Sequence, residues 1–578
     1  MQNPLQIIAV IIVLISGLIS LLYLILIYIH RKQMEGLRDR MKERSEELIF
    51  ECPRHVTDRR ESPERIKSEA EEILKEYKRR KKYEPPPPHT IKRFPDVSLK
   101  DKVVLGQRCS LQIAVTQKPT REHLAKHALT FAVPPGAEHI VIDVLVTAED
   151  FEIVNSNFST LVIPLDGDSE PLLFWMIPQS VGEKKVKVEF FQDSKYVGGV
   201  TVRTTVVMST EKMRVKQVST QGIVGLEREA FPPDLTILIT ESKSDKKMKY
   251  TFKLHSPANG LFYYTVREEL RFSGSPSKWM EGLYQELGAL GKDAKPGDIT
   301  ETLNTIGSDL YEKLFPREMK QIWKQKIRGN VKSIMIISDE PWIPWEIIKP
   351  WYETDTGDII EDDFLCESYL LTRWIAGPPP SSCIEISRCA LIAPLRYDLP
   401  SVQKEVVFLM TNFKNVEEVE PSLSAVRKLL RTGGFHLIHF ACHGSFDPEE
   451  HEQSIVYLQG NDKLKSRDIA GERRTFGKDR PFVFINACQT AREDFSLVGI
   501  GGWANKFVNA NASSFLGSFW EVNDELAYRF SKSFYGSLFE GKTIGEAMRD
   551  ARLEIKGADP TWLAYTLYAD PLTKIIFV

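Results

Sequence analysis

Two residues with strong chemical potential in this sequence are a histidine and a cysteine, each closing a short apolar run. Gly434-Phe-His-Leu-Ile-His-Phe-Ala-Cys-His443-Gly444 and Arg480-Pro-Phe-Val-Phe-Ile-Asn486-Ala-Cys488-Gln489 are both of strand length. Both are rich in Phe, Ile and Val and bounded by Gly or Pro, as buried strands are. In an open parallel sheet the carboxyl ends of the strands open onto one crevice. An imidazole and a thiol delivered there from separate strands can make a reactive thiolate, even though they are far apart in the chain. His443 would be the general base and later the acid, and Cys488 the nucleophile. The N–H groups of Gly444 and Cys488 could hold a developing oxyanion, and Gly444 lets a substrate backbone approach. Spacing alone equally admits two ordinary strand ends.

His436, His439, Cys442 and His443 crowd one stretch and raise the question of zinc. Side chains of a strand alternate faces, which puts His439 and His443 on one side and His436 and Cys442 on the other. Four ligands from this run cannot converge on one ion, so no metal and no cofactor are expected. Cys442 then reads as a buried structural thiol, and His436 and His439 as core histidines.

The elements that must position the pair occupy the last part of a long chain. At 578 residues, several domains are expected, and the near-neutral net charge of -3 implies no nucleic-acid partner. Seven scattered cysteines without C-x-x-C spacing suggest neither a disulfide framework nor a zinc ribbon. Leu5 to Ile29 carries no charge and is long enough to cross a bilayer, so residues 1–30 read as a transmembrane anchor rather than a signal peptide. Arg31, Lys32, Arg38, Arg40, Lys42 and Arg44 follow it, which by the positive-inside rule puts the bulk of the chain in the cytoplasm. Residues 31–98 read as a charged helical stalk ending in the Pro85–Pro88 linker.

Short alternating runs such as His139-Ile-Val-Ile-Asp-Val-Leu-Val146 predict an Ig-like β-sandwich over 99–208. Residues 209–300 read as a β-rich and helical connecting region. Strands then alternate with helices over 301–578, which predicts an α/β domain with a largely parallel sheet and helices on both faces. Trp342 and Trp345 beside prolines read as packing groups rather than as a ligand site.

Four ordered motifs go further. His439-Phe-Ala-Cys-His443-Gly444, Asn486-Ala-Cys488-Gln-Thr490, Ser518-Phe-Trp520-Glu-Val-Asn-Asp524 and Ala564-Tyr-Thr-Leu-Tyr-Ala-Asp570-Pro571 resemble a CHAT domain, whose family is similar to caspases, separases and gingipains. Over about 230–578 the resemblance implies a caspase-like α/β sandwich and a Cys488–His443 dyad. It also implies a regulated bacterial cysteine endopeptidase of a conflict or signalling system, cutting a protein partner. The sandwich would then bind that partner or an activator protein. The residue two before the nucleophile helps line the S1 pocket in related families and is acidic in metacaspases, but here it is Asn486. The Trp520–Asp524 stretch resembles the separase segment that meets a basic P1 residue, which implies roles for Asp524 and Glu521 in binding Arg or Lys. Asp524 reads equally well as the cap of a helix starting near Glu525. The contrasting reading is a catalytically silent, membrane-tethered interaction module of the same fold.

Overall fold

A computed structural model describes most of residues 90–578; residues 1–89 and internal segments including 120–127, 209–230, 446–454 and 489–499 lie outside the described residues. The expected anchor and stalk, to residue 89, fall there. Among the described residues no helix is long and apolar enough to cross a membrane.

Residues 90–207 form a β-sandwich. One five-stranded sheet contains Thr90–Ser98, Cys109–Thr116, Leu129–Ala132, Phe151–Ile153 and Leu172–Pro178. The other contains Lys102–Val104, His139–Ala148, Phe158–Pro164, Gly182–Gln192 and Lys195–Val207. Strand alternation builds the core directly: Ile140, Ile142, Val144 and Val146 point inward against Val186 and Val188. Thr90–Ser98, which the sequence pattern puts in the linker, pairs with two neighbours in the first sheet. Lys92, Arg93 and Pro95 disguise its alternation, and Arg93 is buried because its guanidinium donates to the carbonyls of Pro164 and Leu165.

The rest of the chain is built on one sheet of fourteen strands. Its main strands are β1 (Leu235–Ser244), β2 (Lys247–Ser256), β3 (Leu261–Thr265), β4 (Ser333–Ser338), β5 (Leu370–Trp374), β6 (Cys389–Ile392), β7 (Leu437–Ser445), β8 (Phe482–Cys488), β9 (Ser514–Ser518) and β10 (Tyr565–Tyr568). They lie in the order β3-β2-β1-β4-β5-β10-β9-β8-β7-β6, continued by Val416–Glu418. β1, β4, β5 and β10 run parallel, and so do β9, β8, β7 and β6. The two blocks meet at an antiparallel seam between β9 and β10. The sheet is therefore mixed rather than largely parallel, because β10 returns beside β9 instead of crossing over in the same sense. β1 and β2 also belong to this sheet, so the architecture has no break at residue 300; the hairpin chemistry of 235–265 concealed its parallel pairing with β4.

Several helices bear on the strands of the site: α1 (Pro276–Asp293), α2 (Pro400–Asn412), α3 (Ile500–Asn509), α4 (Asp524–Phe539) and α5 (Ile544–Glu554). α4 packs Phe534 and Tyr535 against Phe484 of β8, whereas α3 stacks Phe507 on Phe515 of β9. Phe484 is in register with Leu516, so Phe515 belongs to the opposite face, and helices cover both faces of this block. At the other end of the sheet the sandwich packs on β2 and β3. Tyr263 donates to Asp143 at 3.0 Å, Lys253 donates to Thr147, and Leu145, Phe191 and Tyr196 join the core of the large unit. Lys195 lies 3.5 Å from Asp570, both almost fully buried.

Candidate active site

β7 and β8 are adjacent and parallel, and their register pairs His439 with Phe484, Ala441 with Asn486, and His443 with Cys488. Neighbouring strands lie about 4.8 Å apart, so the backbones of His443 and Cys488 are side by side at the carboxyl ends of both strands. Both runs are continuous apolar strands because helices bury both of their faces. Alternation places His439 of β7, and Phe484 and Asn486 of β8, on the face covered by α2 and α4. Gly444 is the next residue of β7 and pairs with Val456 of a short hairpin strand, so the backbone beyond His443 remains extended.

One step below the paired ends, this face carries a buried polar network. The amide of Asn486 donates to both oxygens of Glu405, at 2.9 and 3.1 Å, and to the carbonyl of Ala527 at 3.2 Å. Its oxygen accepts from the Tyr565 hydroxyl at 2.8 Å. Glu405 and Ala527 O can only accept, which dictates the amide's orientation. Asn486 is 1% exposed and its donors and acceptor are engaged inside the core, so its amide braces the strand instead of facing a substrate pocket. That differs from the expectation for the residue two before Cys488. The physical reason is the pairing of an uncharged amide with a carboxylate supplied by α2.

Glu405 also approaches His439 Nε2 at 3.0 Å, off the line of a good hydrogen bond, while His439 Nδ1 shares 2.9 Å with the Tyr535 hydroxyl. His439 is therefore a core histidine, as its place in the strand predicts. Cys442, on the opposite face, is buried, and burial pushes its thiol well above the ordinary value. His436 is half-buried and meets Ser387 Oγ at 3.1 Å. Among the described residues, no group of three or more His, Cys, Asp or Glu side chains is arranged to hold a metal.

The first turns of α2 and α4 meet beyond this network. Asn523 is the N-cap of α4, its oxygen accepting from the N–H groups of Glu525 and Leu526 at 3.1 Å each. Asp524 is thus the first helical residue and not the cap. Its Oδ2 accepts from the backbone N–H of Ser401 in α2 at 2.9 Å, and its Oδ1 is enclosed without a hydrogen-bond partner among the described residues. Glu525 Oε2 accepts from Ser401 Oγ at 2.9 Å and from Lys404 at 2.6 Å. Glu521 lies outside the described residues, but Trp520 is buried against Tyr284 of α1. Trp345 is likewise buried, donating to Glu340 at 2.7 Å, which is a packing role; Trp342 lies outside the described residues.

Neither Glu405 nor Tyr535 is singled out by the sequence motifs, and Tyr565 only as one member of the fourth motif. A signal existed for the first: Val402, Glu405 and Leu409 form the buried stripe of α2, so a carboxylate stands where helical periodicity asks for an apolar side chain.

Set beside known proteins, residues 389–569 match the family described as the CHAT domain. A probable protease of Vitiosangium sp. (strain GDMCC 1.1324) is 28% identical over 160 residues, which is 26% of this chain and 20% of that protein. The match thus spans about a fifth of the length of that curated relative. Among solved structures, the complex of Porphyromonas gingivalis RgpB pro- and mature domains is 13% identical, with a TM-score of 0.33, over 48% of this chain and 76% of that one. The Saccharomyces cerevisiae separase–securin complex is 12% identical, with a TM-score of 0.33, over 59% of this chain and 30% of that one.

Proposed function

Residues 389–569 of this chain are a CHAT domain, and on that premise we propose that the protein is a cysteine endopeptidase working through Cys488 and His443. The observation that carries the reading is register: the two residues are partners at the carboxyl ends of adjacent parallel strands. His443 takes the proton of the Cys488 thiol, and the thiolate attacks the scissile carbonyl. The N–H groups of Gly444 and Cys488 receive the charge that develops on the carbonyl oxygen. The imidazolium returns its proton to the departing amine, leaving an acyl-enzyme, and a water activated by the same imidazole releases the new carboxylate. No cofactor enters any of these steps.

The proposal extends to a basic P1 residue, which Asp524 would bind. Asp524 has one oxygen fixed by Ser401 N–H and one enclosed oxygen with no hydrogen-bond partner among the described residues. A guanidinium or ammonium group would satisfy that oxygen through a charge-assisted hydrogen bond. The substrate is a protein of a bacterial conflict or signalling system. The uncharged run Leu5 to Ile29 anchors the enzyme in the membrane, with its bulk in the cytoplasm on the side of Arg31 to Arg44. A C-terminal reporter accessible from outside intact cells would overturn that orientation.

The enzymatic claim is tested by labelling the full chain, in detergent, with an electrophilic peptide probe. Labelling and peptide cleavage are expected for the native protein and for neither Cys488→Ala nor His443→Ala. Equal labelling of Cys488→Ala would move the nucleophile elsewhere, and a native protein inert to probe and peptides alike would favour the interaction-module reading.

A further inference from the structure

We propose that Glu405 is a positioning residue for the dyad, a buried clamp that ties the two dyad-bearing strands together from one side. The inference rests on the proposed Cys488–His443 chemistry and extends it to a residue outside the four motifs. Glu405 is 2% exposed, and its contacts among the described residues are Asn486 on β8 and His439 on β7, with no lysine or arginine ion pair. A buried carboxylate without a strong cation is costly, and a helix stripe of Val402 and Leu409 would pack more cheaply around an apolar residue. What the carboxylate adds is a bridge. One oxygen reaches both strands, and the amide it holds is two residues before Cys488, about 7 Å along the strand.

Three further contacts turn the bridge into a frame. Tyr535 of α4 holds the far nitrogen of His439, Tyr565 of β10 holds the oxygen of Asn486, and the carbonyl of Ala527 accepts from the same amide. The Tyr565 ring stacks on Phe530 of α4 with centroids 3.7 Å apart. Helix α2 therefore reads the relative height of β7 and β8, and a slip between the strands would break contacts on both. In-line attack by a thiolate tolerates little misplacement, about a hundredfold in rate per ångström. A frame one rung below the strand ends is where such slippage is prevented. Among the described residues, Glu405 acts through Asn486 and His439.

The test is Glu405→Gln in the full-length protein. Glutamine keeps the volume, but it removes the charge facing His439 Nε2 and leaves one acceptor oxygen instead of two for the Asn486 amide, so the bridge is weakened on both strands. Alkylation of Cys488 by iodoacetamide, followed by mass spectrometry of its peptide, is expected to slow tenfold or more. kcat is expected to fall by a similar factor, with KM within twofold and the thermal midpoint within a few degrees of native. A folded Glu405→Gln protein with native alkylation rate and kcat would overturn the proposal, as would a loss that tracks only the unfolded fraction. If that variant does not fold, Tyr535→Phe removes one hydroxyl from the frame, and about a threefold slowing of both rates at unchanged KM is expected. Native rates in Tyr535→Phe would then overturn the proposal. Alkylation is read without turnover, so a native protein that alkylates at Cys488 but cleaves nothing would count against the protease reading while still deciding the clamp.

Discussion

Replacing Asp524 by Asn isolates the charge proposed to select a basic P1 residue. The amide oxygen can still accept from Ser401 N–H, now 2.9 Å from Oδ2, so the junction between α2 and α4 keeps its shape. What disappears is the negative charge behind the enclosed Oδ1. A hydrogen bond to a charged group is worth about 1.5–3 kcal/mol. At about 1.4 kcal/mol per factor of ten, kcat/KM for a P1-Arg peptide should fall by about 10- to 150-fold. A matched peptide with a neutral P1 residue should change by less than about threefold, because it never used the charge. Stability should drop by at most about 1 kcal/mol, the usual worth of an acidic residue in the first turn of a helix. The assay is a pair of fluorogenic peptides differing only at P1, run beside chemical denaturation of the same preparations. Unchanged preference for Arg over the neutral residue, in a folded Asp524→Asn protein, would refute the reasoning and leave Asp524 with only the Ser401 N–H to hold.

Two further predictions concern the contact between the sandwich and the large sheet. Lys195→Met leaves the Asp570 carboxylate buried without its cation at 3.5 Å and is expected to destabilise the protein by about 3–5 kcal/mol, whereas Lys195→Met with Asp570→Asn should recover most of that loss; a single variant within about 0.5 kcal/mol of native on a denaturation curve, the effect of a neutral surface change, would show that the pair holds nothing. His255 of β2 is buried and stacked on Tyr263 with centroids 4.0 Å apart, and burial pulls its pKa from 6.5 to about 4. Its charged form is disfavoured in the folded state, so this contribution is full above about pH 6.5 and is lost as pH falls toward 4, up to about 3 kcal/mol in total. His255→Phe should flatten the fall in stability between about pH 7 and pH 4.5, and an unchanged slope on denaturation across that range would contradict it.

The seven residues of β8 and the run ending at His443 could be read as strands from composition alone, because continuous apolar runs bounded by Gly and Pro have few other uses. The four ordered motifs could be read as a CHAT domain by their resemblance to that family. The sandwich was legible from its period of two, except for Thr90–Ser98, whose Lys92, Arg93 and Pro95 hide the pattern. Other features required the third dimension. Sequence cannot show that β10 returns antiparallel beside β9, since strand direction depends on which edge is free when the strand arrives. Nor does it show that Asn486 is turned inward, because an amide two residues before a strand end becomes a core group only when α2 brings Glu405 to it. The residue types and their order were set by the chain itself. Which of them share a rung, face inward or remain without a partner was decided by packing, because burial and hydrogen bonding depend on neighbours far away in the chain.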